Sequence, residues 1–331
     1  MRTALKELRG PHFPHADGRL REGVPEFCVE TVGLCYCYAG QGSGEHGSGL
    51  TDVNLQVPKG CIYGFLGPNG AGKTTTLRLV LGLLRKQQGS VALFGREFSK
   101  HRIACLAKIG SLIESPSLYE HLTATENLRV MQKIHRVQAS RIRDVLELIG
   151  LSSTRNKLVG QFSLGMKQRL SIGLALLHEP SLLILDEATN GLDPSGIIEM
   201  RELLKKLNRE NGVTILISSH LLSEIEKLAN QVGIIHRGRL LFQGTLGQLR
   251  ERQQEAGIVT LGTSDDLRAL QFLSAQVPEA RIENGCITMP CLSSERLARM
   301  NRQLVEQGID VYKLVAVQSD LETIFMDMVS H

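Results

Sequence analysis

Residues Gly67 to Thr74 read G-P-N-G-A-G-K-T and satisfy the spacing G-x-x-x-x-G-K-[ST] in full. The apolar run Ile62 to Leu66 before them predicts a buried strand. Thr75 to Leu84 after them, with Leu77, Val80, Leu81 and Leu84 at helical spacing, predicts a helix. Strand, glycine-rich turn and helix in this order confine the chain to an α/β fold with an anion site at a helix N-terminus. Gly67, Gly70 and Gly72 allow the backbone to turn tightly, so that its N–H groups converge on one point. Lys73 would then reach the β- and γ-phosphates of a nucleotide, and the Thr74 hydroxyl would hold Mg²⁺. Pro68, Asn69 and Ala71 complete the expected phosphate cradle, with Thr75 just beyond it. A plain glycine-rich turn is the alternative, and the lysine and threonine at the required spacing disfavour it.

At 331 residues the chain exceeds one ordinary domain of about 150 residues, so a large α/β domain with an appendage is expected. Its net charge of +4 comes with no long basic run, which argues against nucleic acid as a partner. No apolar run approaches membrane-spanning length, and the N-terminus lacks the apolar stretch of a signal peptide. The seven cysteines are odd in number and form no C-x-x-C pair. Cys35 and Cys37, two apart on one strand face, leave a zinc or disulfide reading beside the favoured one of plain reduced thiols.

Residues 1–25 are rich in Gly, Pro, His and charge and read as a flexible extension. A strand begins near Phe27, Gly40 to Gly49 is a loop by composition, and Leu50 to Val57 reads as one antiparallel strand. Short strands follow at Ser90 to Phe94 and Ile109 to Glu114. From Thr123 to about Gly165 the pattern is helical, with Gly150 as a helix C-terminal glycine. Leu182 to Leu185 and Val213 to Ser218 are apolar strands, and Val232 to His236 with Arg239 to Gln243 forms a hairpin. Beyond about residue 251 the strands Ile258 to Gly262, Cys286 to Met289 and Val311 to Val317 alternate with helices Asp265 to Ala275, Ser293 to Glu306 and Asp320 to Met328. That stretch is a small α+β appendage. Leu297, Met300 and Leu304 stripe one helix face there, as core packing requires.

The strand Leu182 to Leu185 delivers Asp186 and Glu187 at its end. Beside a phosphate-binding loop, Asp186 would steady Mg²⁺ and Glu187 would act as general base toward water.

Phe162-Ser163-Leu164-Gly165-Met166-Lys167-Gln168-Arg169 resembles the signature motif of ABC proteins, whose usual core is L-S-G-G-Q. Asn190-Gly191-Leu192-Asp193 resembles the family's D-loop, His220 its switch histidine, and Tyr38 the aromatic residue that stacks on adenine. Tyr36 is the other candidate for that last role; the offset of Tyr38 from Leu34 and Gly40 matches the family better. The resemblance covers about residues 27 to 245 and identifies the chain as similar to ABC transporter ATP-binding subunits. Ile109 to Leu128 narrows it to the type serving bacterial bacitracin and lantibiotic exporters. Leu164 and Met166 depart from the usual signature, while Ser163 and Gly165 are kept. Glu114 stands where most of the family has a glutamine, as it does in the bacitracin and lantibiotic type. There it would be a metal ligand, or else a plain surface acid.

The resemblance implies a P-loop NTPase domain of the ABC type over residues 26–250, with a helical subdomain at about 100–165, followed by an α+β accessory domain over 251–331. It implies ATP and Mg²⁺ as ligands. Ser163 and Gly165 of one copy would close on ATP held by the P-loop of a second copy, and His220 would contact the γ-phosphate. A separate membrane permease is implied as partner, with the chain on the inner face of the membrane, and the cargo would be an antibiotic, lantibiotic or similar compound. ABC ATPases with non-transport targets usually carry two ATPase halves or a long coiled-coil insertion, whereas this chain has one P-loop and one signature. The appendage also admits a regulatory or dimer-stabilising role.

Overall fold

The computed structural model describes residues 26–38, 49–113, 117–154, 156–256, 258–283, 285–290 and 292–317. The extension over 1–25, all of the 40–49 loop but its last residue, Glu114 and the helix expected at 320–328 lie outside the described residues. The chain runs β1 (Phe27–Cys37), β2 (Gly49–Val53), β3 (Gln56–Pro58), β4 (Ile62–Leu66), α1 (Lys73–Val80), β5 (Gln88–Leu93), β6 (Arg96–Glu97), α2 (Phe98–Leu106) and β7 (Ile109–Leu112). Then come α3 (Ala124–His135), α4 (Ser140–Leu148), α5 (Leu164–Leu176), β8 (Leu182–Asp186), α6 (Pro194–Asn211), β9 (Thr214–Ser219), α7 (Leu222–Ile225), β10 (Gln231–His236) and β11 (Arg239–Thr245).

Strands β4, β8 and β9 are buried at every position, as parallel strands covered on both faces must be. They lie inside a six-stranded sheet ordered β11-β10-β4-β9-β8-β7. The pairs β10·β4, β4·β9, β9·β8 and β8·β7 are parallel. This topology places the site. Gly67 and His220 follow β4 and β9, and Asp186 ends β8 with Glu187 next, so three adjacent parallel strands deliver them to one edge of the sheet.

A second, antiparallel sheet is ordered β2-β1-β5-β6, with β3 also on β1. The single strand expected over Leu50 to Val57 is two strands. Asp52 takes a left-handed φ of 54°, and between the two segments the buried Thr31 hydroxyl donates to Val53 O and accepts the Leu55 N–H, both at 2.8 Å. The side chain of Thr31 thus replaces one rung of the ladder. The helix expected over Thr75 to Leu84 starts two residues earlier and ends at Val80, because Gly82 turns the chain at φ 67°.

The helical stretch between β7 and β8 is not continuous. Helices α3 and α4 are followed by two short 3₁₀ turns before α5. Gly150 ends α4 at φ 67°, donating to Glu147 O while Leu151 N–H reaches Leu146 O at 2.8 Å. In α6, Met200, Leu203, Leu204 and Leu207 repeat at helical spacing and are buried. Asp193 caps its start and Gly212 its end.

The chain divides into two compact units, residues 1–244 and 245–331. The second contains α8 (Leu246–Ala256), β12 (Ile258–Thr263), α9 (Asp266–Ser274), β13 (Arg281–Glu283), β14 (Cys286–Pro290), α10 (Ser294–Glu306) and β15 (Val311–Val317). Its sheet is ordered β13-β14-β12-β15. Val259, Leu261, Ile287 and Met289 form its core with Leu297, Met300 and Leu304 of α10. Among the described residues no helix is long and apolar enough to cross a membrane.

Candidate functional site

The glycine-rich loop is shaped by backbone requirements that differ from one glycine to the next. Gly70 and Gly72 take φ of 80° and 108°, a region costly for residues with a Cβ. Gly67 does not, but a Cβ there would lie 2.4 Å from Ile235 O, so close approach is what demands glycine. Ala71 N–H donates to Pro68 O at 3.1 Å, and Gly238 N–H donates to Ala71 O at 2.9 Å, tying the loop to the β10–β11 turn.

Lys73 is the first residue of α1 and is only 6% exposed. Its Nζ donates to Gly67 O at 2.7 Å and Pro68 O at 3.3 Å, and pairs with Glu187 Oε1 at 3.1 Å. The other Glu187 oxygen lies 2.8 Å from His220 Nδ1. One carboxylate is therefore held between a lysine and a histidine. Ser219 turns the chain after β9, its hydroxyl accepting the Leu221 N–H at 3.0 Å.

The neighbouring carboxylate, Asp186, is buried and fully engaged. Its Oδ2 accepts the Thr74 hydroxyl at 2.7 Å, and its Oδ1 accepts the Ser218 hydroxyl at 2.5 Å. Ser218 in turn accepts Glu187 N–H at 3.0 Å, where Glu187 sits at φ 50°. Ser218 thus joins both carboxylates. Motif spacing does not mark it, although its place at the end of an apolar strand beside the strand that delivers both acids is a usable signal. The Thr74 and Ser218 hydroxyls with the Asp186 carboxylate are hard oxygen donors, which suits Mg²⁺.

Tyr36 packs against the core of the domain, whereas the Tyr38 hydroxyl lies 3.1 Å from Thr75 Oγ1 at the start of α1. The two rings meet edge to face at 4.9 Å. Cys35 and Cys37 are half-buried thiols that take part in no disulfide, and Cys35 Sγ accepts the Asp52 N–H at 3.3 Å.

Ser163 and Gly165 form a separate group. Ser163 caps α5, its hydroxyl accepting Met166 N–H at 3.3 Å, and the first-turn amides beside it have no intrahelical acceptor. The D-loop packs against this turn: Leu192 lies beside Gly165, and buried Gln168 donates to Asn190 O at 3.3 Å. Among the described residues no hydrogen bond joins Ser163 or Gly165 to the Lys73–Glu187–His220 cluster of the same chain. Leu164, in the place of the usual glycine, is 45% exposed.

Strand, loop and helix, with a lysine and two carboxylates at one sheet edge, define a P-loop nucleoside-triphosphate site. Residues 50–190 match the profile of the ABC transporter family. The chain is 43% identical over 304 residues to the bacitracin transport ATP-binding protein BcrA of Bacillus licheniformis, covering 91% of this chain and 97% of that protein. It is 47% identical over 194 residues to the lantibiotic transport ATP-binding protein SrtF of Streptococcus pyogenes, covering 59% and 83% of the two chains. Among solved structures, an ATP-binding subunit of an ABC transporter superposes with a TM-score of 0.58 at 30% identity, covering 68% of this chain and 92% of that one. A dimeric ATP-binding cassette in a post-hydrolysis state with ADP and Pi gives 0.57 at 25% identity, covering 66% and 98%. The chain belongs to the ABC transporter family as an ATP-binding subunit, and it is an ATPase.

Proposed function

We propose that this ATPase powers a separate membrane permease that exports a peptide antibiotic of the bacitracin or lantibiotic kind. The observation that carries the reading is the 43% identity to a bacitracin transport subunit across 97% of that protein, which includes the second unit as well as the ATPase unit. In this reading the chain is held at the inner face of the membrane through the permease. The second unit, residues 245–331, is an accessory domain.

Each residue at the sheet edge then has a task. Gly67 to Thr75 cradle the phosphates, with Lys73 on the β- and γ-phosphates and Tyr38 on the adenine. Thr74 and Asp186 hold Mg²⁺, and Glu114 is assigned to the same ion from the sequence alone. When bound, the metal would supply charge neutralisation for the phosphates. Glu187, once Lys73 is engaged by phosphate, takes a proton from water as the water oxygen attacks the γ-phosphorus and the bond to ADP breaks. His220 keeps Glu187 oriented through Nδ1 and contacts the γ-phosphate.

Ser163 and Gly165 stand apart from this cluster, and the partner that suits them is the nucleotide of a second copy. The ATP-binding unit is therefore half a site, completed in a head-to-tail sandwich of two chains. Two experiments test the reading. Glu187→Gln, assayed with the permease, lowers ATP turnover by about 100-fold or more while ATP binding persists; rapid hydrolysis by that variant overturns the assignment of the base. Expression with the cognate permease raises tolerance to bacitracin or a lantibiotic. An active ATPase that confers no protection against either overturns the cargo.

A further inference from the structure

We infer that Gln87 is a positioning residue for the adenine contact: its side-chain amide extends the β1 ladder beyond the end of β5 and fixes the point at which Tyr38 leaves the strand. The inference rests on the reading of Tyr38 given above. Strand β5 begins at Gln88, which lies opposite Cys35 of β1. In an antiparallel ladder the N–H and C=O of alternate residues face the same neighbour. Those of Cys35 and Cys37 both face β5. Cys35 O accepts the Gln87 N–H at 3.3 Å, which is the last backbone rung.

At Cys37 the rung is made by a side chain instead. Gln87 Oε1 accepts the Cys37 N–H at 2.9 Å, and Gln87 Nε2 donates to Cys37 O at 2.8 Å. A carboxamide carries the same donor and acceptor as a peptide group, so it can stand in for one. On its other side Cys37 lies opposite Gly49 of β2. The next residue is Tyr38, which reaches Thr75 of the P-loop helix and rests on the edge of Tyr36. One peptide unit separates the clamp from the ring. Without the clamp the end of β1 frays, and the ring is ordered only at the expense of nucleotide affinity.

The test uses the purified full-length chain with Mg²⁺ and measures Kd for ATP and for inorganic tripolyphosphate, which has no base. Gln87→Ala weakens ATP by about 3- to 10-fold, the loss of one to two exposed hydrogen bonds. Tripolyphosphate affinity stays within about twofold, since the phosphate cradle is untouched. Gln87→Glu, which keeps the shape but loses the donor to Cys37 O, behaves in the same way. Tyr38→Ala weakens ATP selectively as well, and adding Gln87→Ala to it costs no more, because the two act through one contact. Equal loss of both ligands in Gln87→Ala, or additive losses in the double variant, overturns the clamp. If Tyr38→Ala leaves ATP affinity intact, the Tyr38 reading fails and takes the clamp with it. If Tyr38→Ala weakens ATP and Gln87→Ala does not, the clamp alone is wrong.

Discussion

Ser218 is the residue on which both carboxylates of the site depend, and Ser218→Ala separates their support from their chemistry. Its hydroxyl donates to buried Asp186 at 2.5 Å and accepts the Glu187 N–H at 3.0 Å, and Ser218 itself is 1% exposed. A hydrogen bond to an ionised group contributes about 1.5–3 kcal/mol, and stranding the Glu187 N–H adds about 1 kcal/mol or more. Relief from burying a hydroxyl offsets about 1 kcal/mol of this, leaving a net loss of about 1.5–3 kcal/mol. Glu187 holds a left-handed φ of 50°, so freeing its amide also loosens the carboxylate beyond it. A misplaced base costs about 10- to 100-fold in turnover. The chain has no tryptophan, so urea unfolding is followed by circular dichroism, alongside ATP turnover of the variant. A stability change below about 0.5 kcal/mol with turnover within about twofold of the parent would refute the argument that Ser218 supports this pair.

Further outcomes follow from the same geometry. Gly72→Ala places a Cβ 2.6 Å from Leu50 Cδ2 at φ 108°, and ATP affinity falls by about 10-fold or more in a titration. Ser163→Asp keeps the cap on α5, so thermal stability holds within about 0.5 kcal/mol, yet turnover collapses because a carboxylate occupies the anion site. Burial pushes the Cys61 thiol up to about 12, with Cys28 beside it adding to the rise. The folded chain therefore keeps that proton where the unfolded thiol, at 9.0, loses it, and stability falls as pH rises from about 9 toward 12. Cys61→Ser reduces that slope in alkaline unfolding curves. Burial, with His135 stacked on it at 4.5 Å, pushes the His178 imidazole below its usual 6.5. The unfolded state then takes up the proton first, and stability is lost as pH falls below about 6.5, less so in His178→Gln.

The strand, loop and helix around Gly67 were legible in the sequence because three independent signals coincide there: an apolar run, the glycine spacing and the lysine-threonine pair. The parallel sheet followed from strands alternating with helices. Periodicity was blind to the break at Asn54, because the rung there is supplied by the side chain of Thr31 and the alternation of Val53, Leu55 and Val57 continues across it. Helix α8 and the three-residue β13 escaped for a different reason. The first is polar throughout much of its length, and the second is exposed at every position, so neither carries an apolar pattern. Within the site, motif spacing names groups that face a ligand. It is silent on Ser218 and Gln87, whose bonds are to other parts of the protein.

The central claim is that ATP is held between the P-loop of one copy and Ser163 and Gly165 of another. The mass of the Glu187→Gln chain in solution, measured by light scattering with and without Mg²⁺-ATP, tests it most directly. The account predicts a monomer without nucleotide and a dimer with it, and predicts that adding Ser163→Asp returns the chain to a monomer that still binds ATP. A Glu187→Gln chain that binds ATP and stays monomeric, or a dimer that survives Ser163→Asp, would contradict it.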